Sequence, residues 1–291
     1  MHTHHSFIEA LFHALGESVH LLPYLFITYL ILEYLEKRTE NISLFFSKTN
    51  SYFAPVLAAF SGILPQCGLG VAGANFYAAR VISRGTLVAL FLATSDEMLP
   101  VLLSNGVPIK VISNIILYKT AIALLAGLLL DRFLKRRNKG QNPSFQMKML
   151  CHQAACGCHQ KKLWLSALNH TTHIFVFILG VNIILHTLFL FVHPNELKET
   201  LFNHAVYGPF FSTIFGLIPN CATSVISAQL FADGTLPDGA FLSAVLANAG
   251  IGLIVLFHVN RPLKQNLKTL LFISLVSFLS GFVFNILRLS F

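Results

Sequence analysis

Long apolar blocks separated by short polar gaps dominate this chain. The stretch "VISNIILYKTAIALLAGLLL" (111–130) alone reaches the ~20 residues that an α-helix needs to cross a bilayer. Read block by block, the pattern predicts spans at 18–36, 86–104, 110–132, 163–192, 240–258 and 266–288. Two further blocks are divided by a proline. Residues 52–63 and 67–82 flank Pro65, and residues 203–218 and 222–232 flank Pro219. Each piece is short for a full crossing, and proline removes a helix hydrogen bond, so the pieces predict re-entrant hairpins or broken helices.

The polar gaps arrange these elements. Residues 1–17 form a His-rich tail without a basic n-region or a cleavage site, so the first span is expected to insert as a signal-anchor. Residues 18–132 make a first membrane unit, 133–162 a hydrophilic connector and 163–291 a second unit. If both divided blocks enter and leave on one side, Lys37, Arg38, Arg80, Arg84, the Arg132–Lys139 cluster, Arg261, Lys264 and Lys268 share the cytoplasmic face. Lys110, His193, Glu196, Lys198, Glu199, Asp233 and Asp238 then lie opposite, and both termini are expected to be extracytoplasmic.

Laying 62–103 without a gap onto 216–257 matches Gly62 with Gly216, Pro65 with Pro219, Cys67 with Cys221, Gly85 with Gly239 and Ala93 with Ala247. Upstream, Pro55 falls on Pro209. The first copy enters its divided block from inside and the second from outside. The expected fold is therefore an all-α polytopic membrane protein of two inverted-topology repeats, about five helices each. Interrupted helices meeting near the midplane are the mark of secondary transporters.

Composition agrees with the pattern. Of 291 residues, 55% are hydrophobic and only 11% charged, well below the roughly one quarter usual in soluble domains. The formal charge of +8 comes from loop clusters that the positive-inside rule explains, so no nucleic-acid partner is implied. Five cysteines in a chain of this size do not suggest a disulfide framework.

Pro65, Gln66 and Cys67 recur as Pro219, Asn220 and Cys221. A cysteine at the start of a half-helix sits in positive helix-end potential, which favours the thiolate, a ligand for soft ions. The alternative for each cysteine is a small apolar packing residue. The two amides suit an oxyanion or a hydrated metal ion equally. In "ATSDEMLP" (93–100), Ser95, Asp96 and Glu97 lie inside an apolar block, where a charge costs at least ~2.5 kcal/mol and marks a pathway, a proton relay, a hard-cation ligand or a paired ion. Arg80, Arg84 or a backbone group is the expected partner of whichever acid turns from the site. The second copy has Gly250 and Ile251 there, with Asn248 opposite Thr94, so the site is expected to be asymmetric. His170, His173, Asn182 and His186 share one expected helix, with interfacial or interhelical roles as the plain reading. In the connector, Cys151, His152, Cys156, Cys158 and His159 have the density expected of a cytoplasmic metal-capture tract, with plain loop decoration as the alternative. His2, His4 and His5 are a weaker metal-binding group.

"GILPQCG", "ISRGTLVALFLATSDEMLPVLL", "GLIPNCATSV" and "GAFLSAVLANAGIGLIVLF" together resemble the ten-helix heavy-metal exporter family, labelled ArsP-like arsenic efflux permease or manganese transporter. The opening "LLPYLFITYLILEYLE" resembles that family's first helix, and the likeness runs over nearly the whole chain. It implies two five-helix repeats and export of a metal or metalloid. No Walker-type phosphate loop is present, and no cofactor is expected. The expectation is a proton-coupled secondary exporter in the bacterial inner membrane, not an enzyme. Its partners are its ion and the lipid bilayer, and a homo-oligomer is compatible. Alternatives are a transporter of a small anion, a passive channel and a polytopic membrane enzyme.

Overall fold

The computed structural model describes residues 53–63, 67–95, 98–137 and 206–291, with separate helical positions at 16, 22–23, 26–27, 30, 164, 168, 171–172, 175–176, 179–180 and 183. Ten helical segments fill the continuous stretches. They are α1 (Phe53–Ser61), α2 (Cys67–Ala78), α3 (Arg84–Ala93), α4 (Met98–Ser104) and α5 (Ile109–Arg137), then α6 (Tyr207–Gly216), α7 (Cys221–Ala232), α8 (Asp238–Ala247), α9 (Ile251–Val259) and α10 (Leu263–Ile286). Counted through their breaks, α3–α4 and α8–α9 are each one interrupted rod. No strand occurs among the described residues.

Local chemistry sets most boundaries. Pro55 and Pro209 stand in the first turns of α1 and α6, where the missing N–H has no acceptor within the helix. Ser83 caps α3, its hydroxyl accepting the Thr86 N–H at 3.0 Å. The pattern expected residues 67–82 as one piece, but α2 stops at Ala78 because Arg80 turns left-handed, with φ of 61°. Gly234 does the same after α7, at 70°. α5 runs five residues past the expected end at 132, through "KRR", whose charges suit the negative end of a helix.

Four stretches are long and apolar enough to cross a bilayer: Arg84–Ser104, Ile109–Leu134, Asp238–Val259 and Leu263–Ile286. They mark the chain as a membrane protein. The interrupted rods are interior and the unbroken ones peripheral. Asp238–Val259 is 89% buried, against 28% for Leu263–Ile286, whose Leu267, Leu271, Leu275 and Leu279 make an exposed stripe at every fourth residue. Such a stripe suits acyl chains. α1, with nine residues, rises only about 13 Å and cannot span alone.

Packing repeats from one half to the other. α3 packs on α5 and on α1, as α8 packs on α10 and on α6. The halves also interlock: α2 lies against α9 of the other half, and α7 against α4. The two cores follow these junctions, with Val71, Leu87, Phe91, Ile251 and Leu256 in one, and Met98, Leu102, Ala228 and Phe241 in the other. Close approach is purchased with glycine. A methyl group on Gly85 would lie 2.3 Å from the Gly127 carbonyl, and one on Gly239 would lie 2.4 Å from the Gly281 carbonyl. Gly127 and Gly281 are counterparts under the same alignment that pairs Gly85 with Gly239, so the correspondence continues beyond residues 62–103.

One expectation is corrected. Residues 86–104 and 240–258 read as ordinary continuous spans, yet each is broken in mid-course. α3 ends at Ala93 and α4 starts at Met98; α8 ends at Ala247 and α9 starts at Ile251. Gly250, at φ 54° and ψ −151°, adopts a conformation open chiefly to glycine. Side-chain hydrogen bonds to the backbone, rather than proline, stabilise these breaks.

Candidate functional site

The breaks expose backbone groups in the buried interior, and the sequence supplies partners for them. In the second half, Asn248 caps α8. Its side-chain carbonyl accepts the Gly250 N–H at 2.8 Å, and its side-chain NH2 donates to Thr223 Oγ1 at 3.2 Å. Thr223 Oγ1 donates to the Asn220 carbonyl at 2.7 Å. Asn220, Thr223 and Asn248 are all nearly inaccessible, so the break of α8–α9 is tied to the start of α7 by a buried polar chain.

The first half solves the same problem differently. Thr94 caps α3, and its hydroxyl donates to the Phe91 carbonyl at 2.7 Å. Ser95 Oγ donates to the Ala93 carbonyl at 3.2 Å. The Thr94 carbonyl, past the end of the helical ladder, accepts from Lys119 Nζ. Lys119 is 2% exposed and lies about 15 Å along α5 from its start, well inside a membrane-crossing helix. Burying a lysine there costs about 2.5–3.5 kcal/mol on insertion scales and is normally tied to function.

These interruptions converge. At one end of the α1–α2 turn, Gly62 abuts the α3 break; a methyl group there would sit 2.6 Å from Ala93 Cβ and 3.0 Å from the Thr94 nitrogen. At the other, Gly70 of α2 faces the α8–α9 break; its methyl would lie 3.2 Å from the Ala249 carbonyl and 3.5 Å from Gly252 Cα. Gly216, at the end of α6, presses on the Ala244 carbonyl of α8. The α1–α2 segment therefore touches both broken rods, and the α6–α7 segment touches its own twice.

Cys67 and Cys221 begin α2 and α7, the half-helix starts that the sequence predicts for them. Asn220 and Asn248 are drawn into one polar chain with Thr223, which the sequence alone did not single out. Pro219 lies at the turn into α7, and Ser95 belongs to the α3 break. Pro65, Gln66, Asp96, Glu97, Cys151, His152, Cys156, Cys158 and His159 lie outside the described residues, as do His2, His4, His5, His170, His173, Asn182 and His186. Among the described residues no group of three or more His, Cys, Asp or Glu gathers as a metal site.

Arg80 and Arg84 engage other groups. Arg84 Nε donates to Tyr77 OH at 3.3 Å, while Arg80 and Tyr77 both donate to Gln265 Oε1 at 3.4 Å. Arg84 is one ten-residue helix away from Thr94, about 15 Å. The cation at the break is Lys119. Its signal was present in "ILYKTAIALL", a lone charge inside an apolar block, the same signal that drew attention to Asp96.

Asp131 is a buried acid that the hydrophobic pattern does not single out. Its carboxylate accepts from Ser83 Oγ at 2.5 Å and from the Gly85 N–H at 2.8 Å, so it holds the start of α3. Away from the junction, a cleft of about 560 Å3 opens between the α7–α8 turn and the end of α10, bordered by Phe231, Asp238, Asn285 and Arg288. Comparison with family models, with curated proteins and with solved structures gives no match.

Proposed function

We propose that this chain is a secondary active transporter of the bacterial inner membrane, built from two inverted repeats, that exports a heavy-metal or metalloid ion in exchange for protons. The observation that carries the reading is the meeting of interrupted segments in a buried helical interior, where backbone carbonyls and the Asn220–Thr223–Asn248 chain offer polar groups in an otherwise apolar core. Non-helical backbone at membrane depth is tolerated where it is buried in protein or lines a pathway.

Inversion is supported by which ends meet. The start of α3 is linked through Arg84, Tyr77 and Gln265 to the start of α10. Its counterpart α8 starts beside the other end of α10, where a methyl on Gly239 would meet the Asn285 side chain at 2.2 Å. Corresponding helices thus begin at opposite ends of one 24-residue helix. Arg80, Arg84, Lys264 and Lys268 belong to the first end, while Asp233 and Asp238 accompany Arg288 at the second, a bias that supports a cytoplasmic first end under the positive-inside rule.

In this reading the Pro65-Gln66-Cys67 and Pro219-Asn220-Cys221 turns present thiolate and amide ligands, Asn248 completes the second-half side, and Asp96 or Glu97, next to Ser95, carries the exchanged proton. The connector cysteines and histidines, Cys151 to His159, collect the ion from the cytoplasm. The test is a growth panel against arsenite, manganese, zinc and copper in a sensitised host. Cys67→Ser with Cys221→Ser is expected to abolish resistance to a soft ion, and Asp96→Asn to abolish resistance to any cargo. Full resistance in the double cysteine variant would remove the thiols from the site.

A further inference from the structure

Arg80 and Arg84 bring two half-buried positive charges to one corner of the protein. Arg84 Nε donates to Tyr77 OH, while Tyr77 OH and Arg80 Nη1 both donate to Gln265 Oε1. The Arg80 guanidinium also lies over the Tyr77 ring, 5.6 Å from its centroid. These partners are neutral, and each guanidinium uses one of its five N–H donors on them. Asp131, the carboxylate at the start of α3, is engaged by Ser83 and the Gly85 N–H. Among the described residues neither arginine is paired with a carboxylate.

The backbone carries a second sign. Arg80 has φ 61°, a left-handed turn that strains an L side chain, and its counterpart Gly234 makes the same turn at 70° without that strain. Beside Gly234, Asp238 stands for Arg84 and Phe231 for Tyr77. The first half therefore holds a guanidinium where the backbone favours glycine, and the corresponding corner of the second half has no such pair.

We propose that this corner binds the phosphate of an anionic phospholipid headgroup. Two planar guanidiniums on one support match phosphate oxygens, and the anion offsets their mutual repulsion. The surroundings select a lipid over a free ion. α10 starts here, with Lys268 three residues from Gln265 on the same side. Exposed Leu263, Leu267 and Leu271 continue from this point along a bilayer-crossing helix. The basic groups thus reach the headgroup level while the leucines meet acyl chains. Binding here depends on the membrane location of the chain, not on transport.

The test is thermal unfolding of the purified full-length chain in detergent, titrated with dioleoylphosphatidylglycerol, dioleoylphosphatidylcholine or inorganic phosphate. The wild type should be stabilised by phosphatidylglycerol at a lower mole fraction than by phosphatidylcholine, and not by phosphate ions. Arg80→Gly and Arg84→Gln should each raise the half-saturating phosphatidylglycerol fraction about fivefold, with the phosphatidylcholine response unchanged. Arg80→Gly eases the backbone and guards against a folding defect in Arg84→Gln. Arg132→Gln removes an exposed charge of α5 outside this hydrogen-bonded group and should leave the fraction where it was. An equal loss in Arg132→Gln, or no loss in the other two variants, overturns the site, and so does equal stabilisation of the wild type by both lipids. Stabilisation by phosphate ions as large as that by phosphatidylglycerol overturns the lipid in favour of a free phosphate.

Discussion

The two halves share a backbone plan and differ in the chemistry they place on it. Four of the five helix pairs begin at corresponding residues and the fifth, α4 with α9, is offset by one; the glycine contacts of α3 on α5 recur between α8 and α10. Yet the buried charges among the described residues lie in the first half. Lys119 stands where the second half has Ile273, and Asp131 where it has Asn285. The second half carries neutral hydrogen-bonding groups: Ser212, Ser243 and Ser277 replace the buried Ala58, Ala89 and Ala123. Ser212 and Ser277 bury hydroxyls that find no hydrogen-bond partner among the described residues. Backbone contacts through glycine tolerate little change, whereas the side chains beside them have diverged.

The comparison breaks most severely at the shared glycines. Gly85→Ala and Gly239→Ala should each cost about 3 kcal/mol or more by overpacking, seen as a large fall in thermal unfolding temperature in detergent. Gly180→Ala, with open space around it, should leave that temperature unmoved. If the first two are tolerated as easily as the third, the common frame is not held by these contacts.

Next comes the start of α3. Asp131→Ala strands the Gly85 N–H and leaves the Ser83 hydroxyl with Thr86 alone, and should cost about 2 kcal/mol in the same measurement. Asp131→Asn copies the second half and should recover most of that loss. Equal losses would mean that the charge itself is needed in the first half.

A smaller effect separates the two left-handed turns. Arg80→Gly relieves backbone strain but loses the Gln265 contact, so the two should nearly cancel; Gly234→Ala should cost about 1 kcal/mol. Smallest of all, Ser277→Ala should shift stability by no more than about 0.5 kcal/mol, or raise it slightly, because the hydroxyl is buried without a partner among the described residues. A marked loss of flux at unchanged stability would show that this hydroxyl serves the pathway.

Amphiphilic pattern alone determined that the chain is helical and membrane-bound. It also located the divided blocks around Pro65 and Pro219 and paired Cys67 with Cys221 at half-helix starts, because proline, glycine and apolar block length act within a few residues of where they stand. Tertiary structure decided what distant residues do to one another. The breaks at Thr94 and Asn248 were hidden because apolar residues on both sides keep the hydropathy of a continuous span, and one partner at each break, Lys119 or Thr223, comes from another helix. Lys119 lies 25 residues from Thr94 and Asn248 as far from Thr223. Hydrophobicity reports whether a segment is buried, while a buried polar group is satisfied by whatever the fold brings beside it.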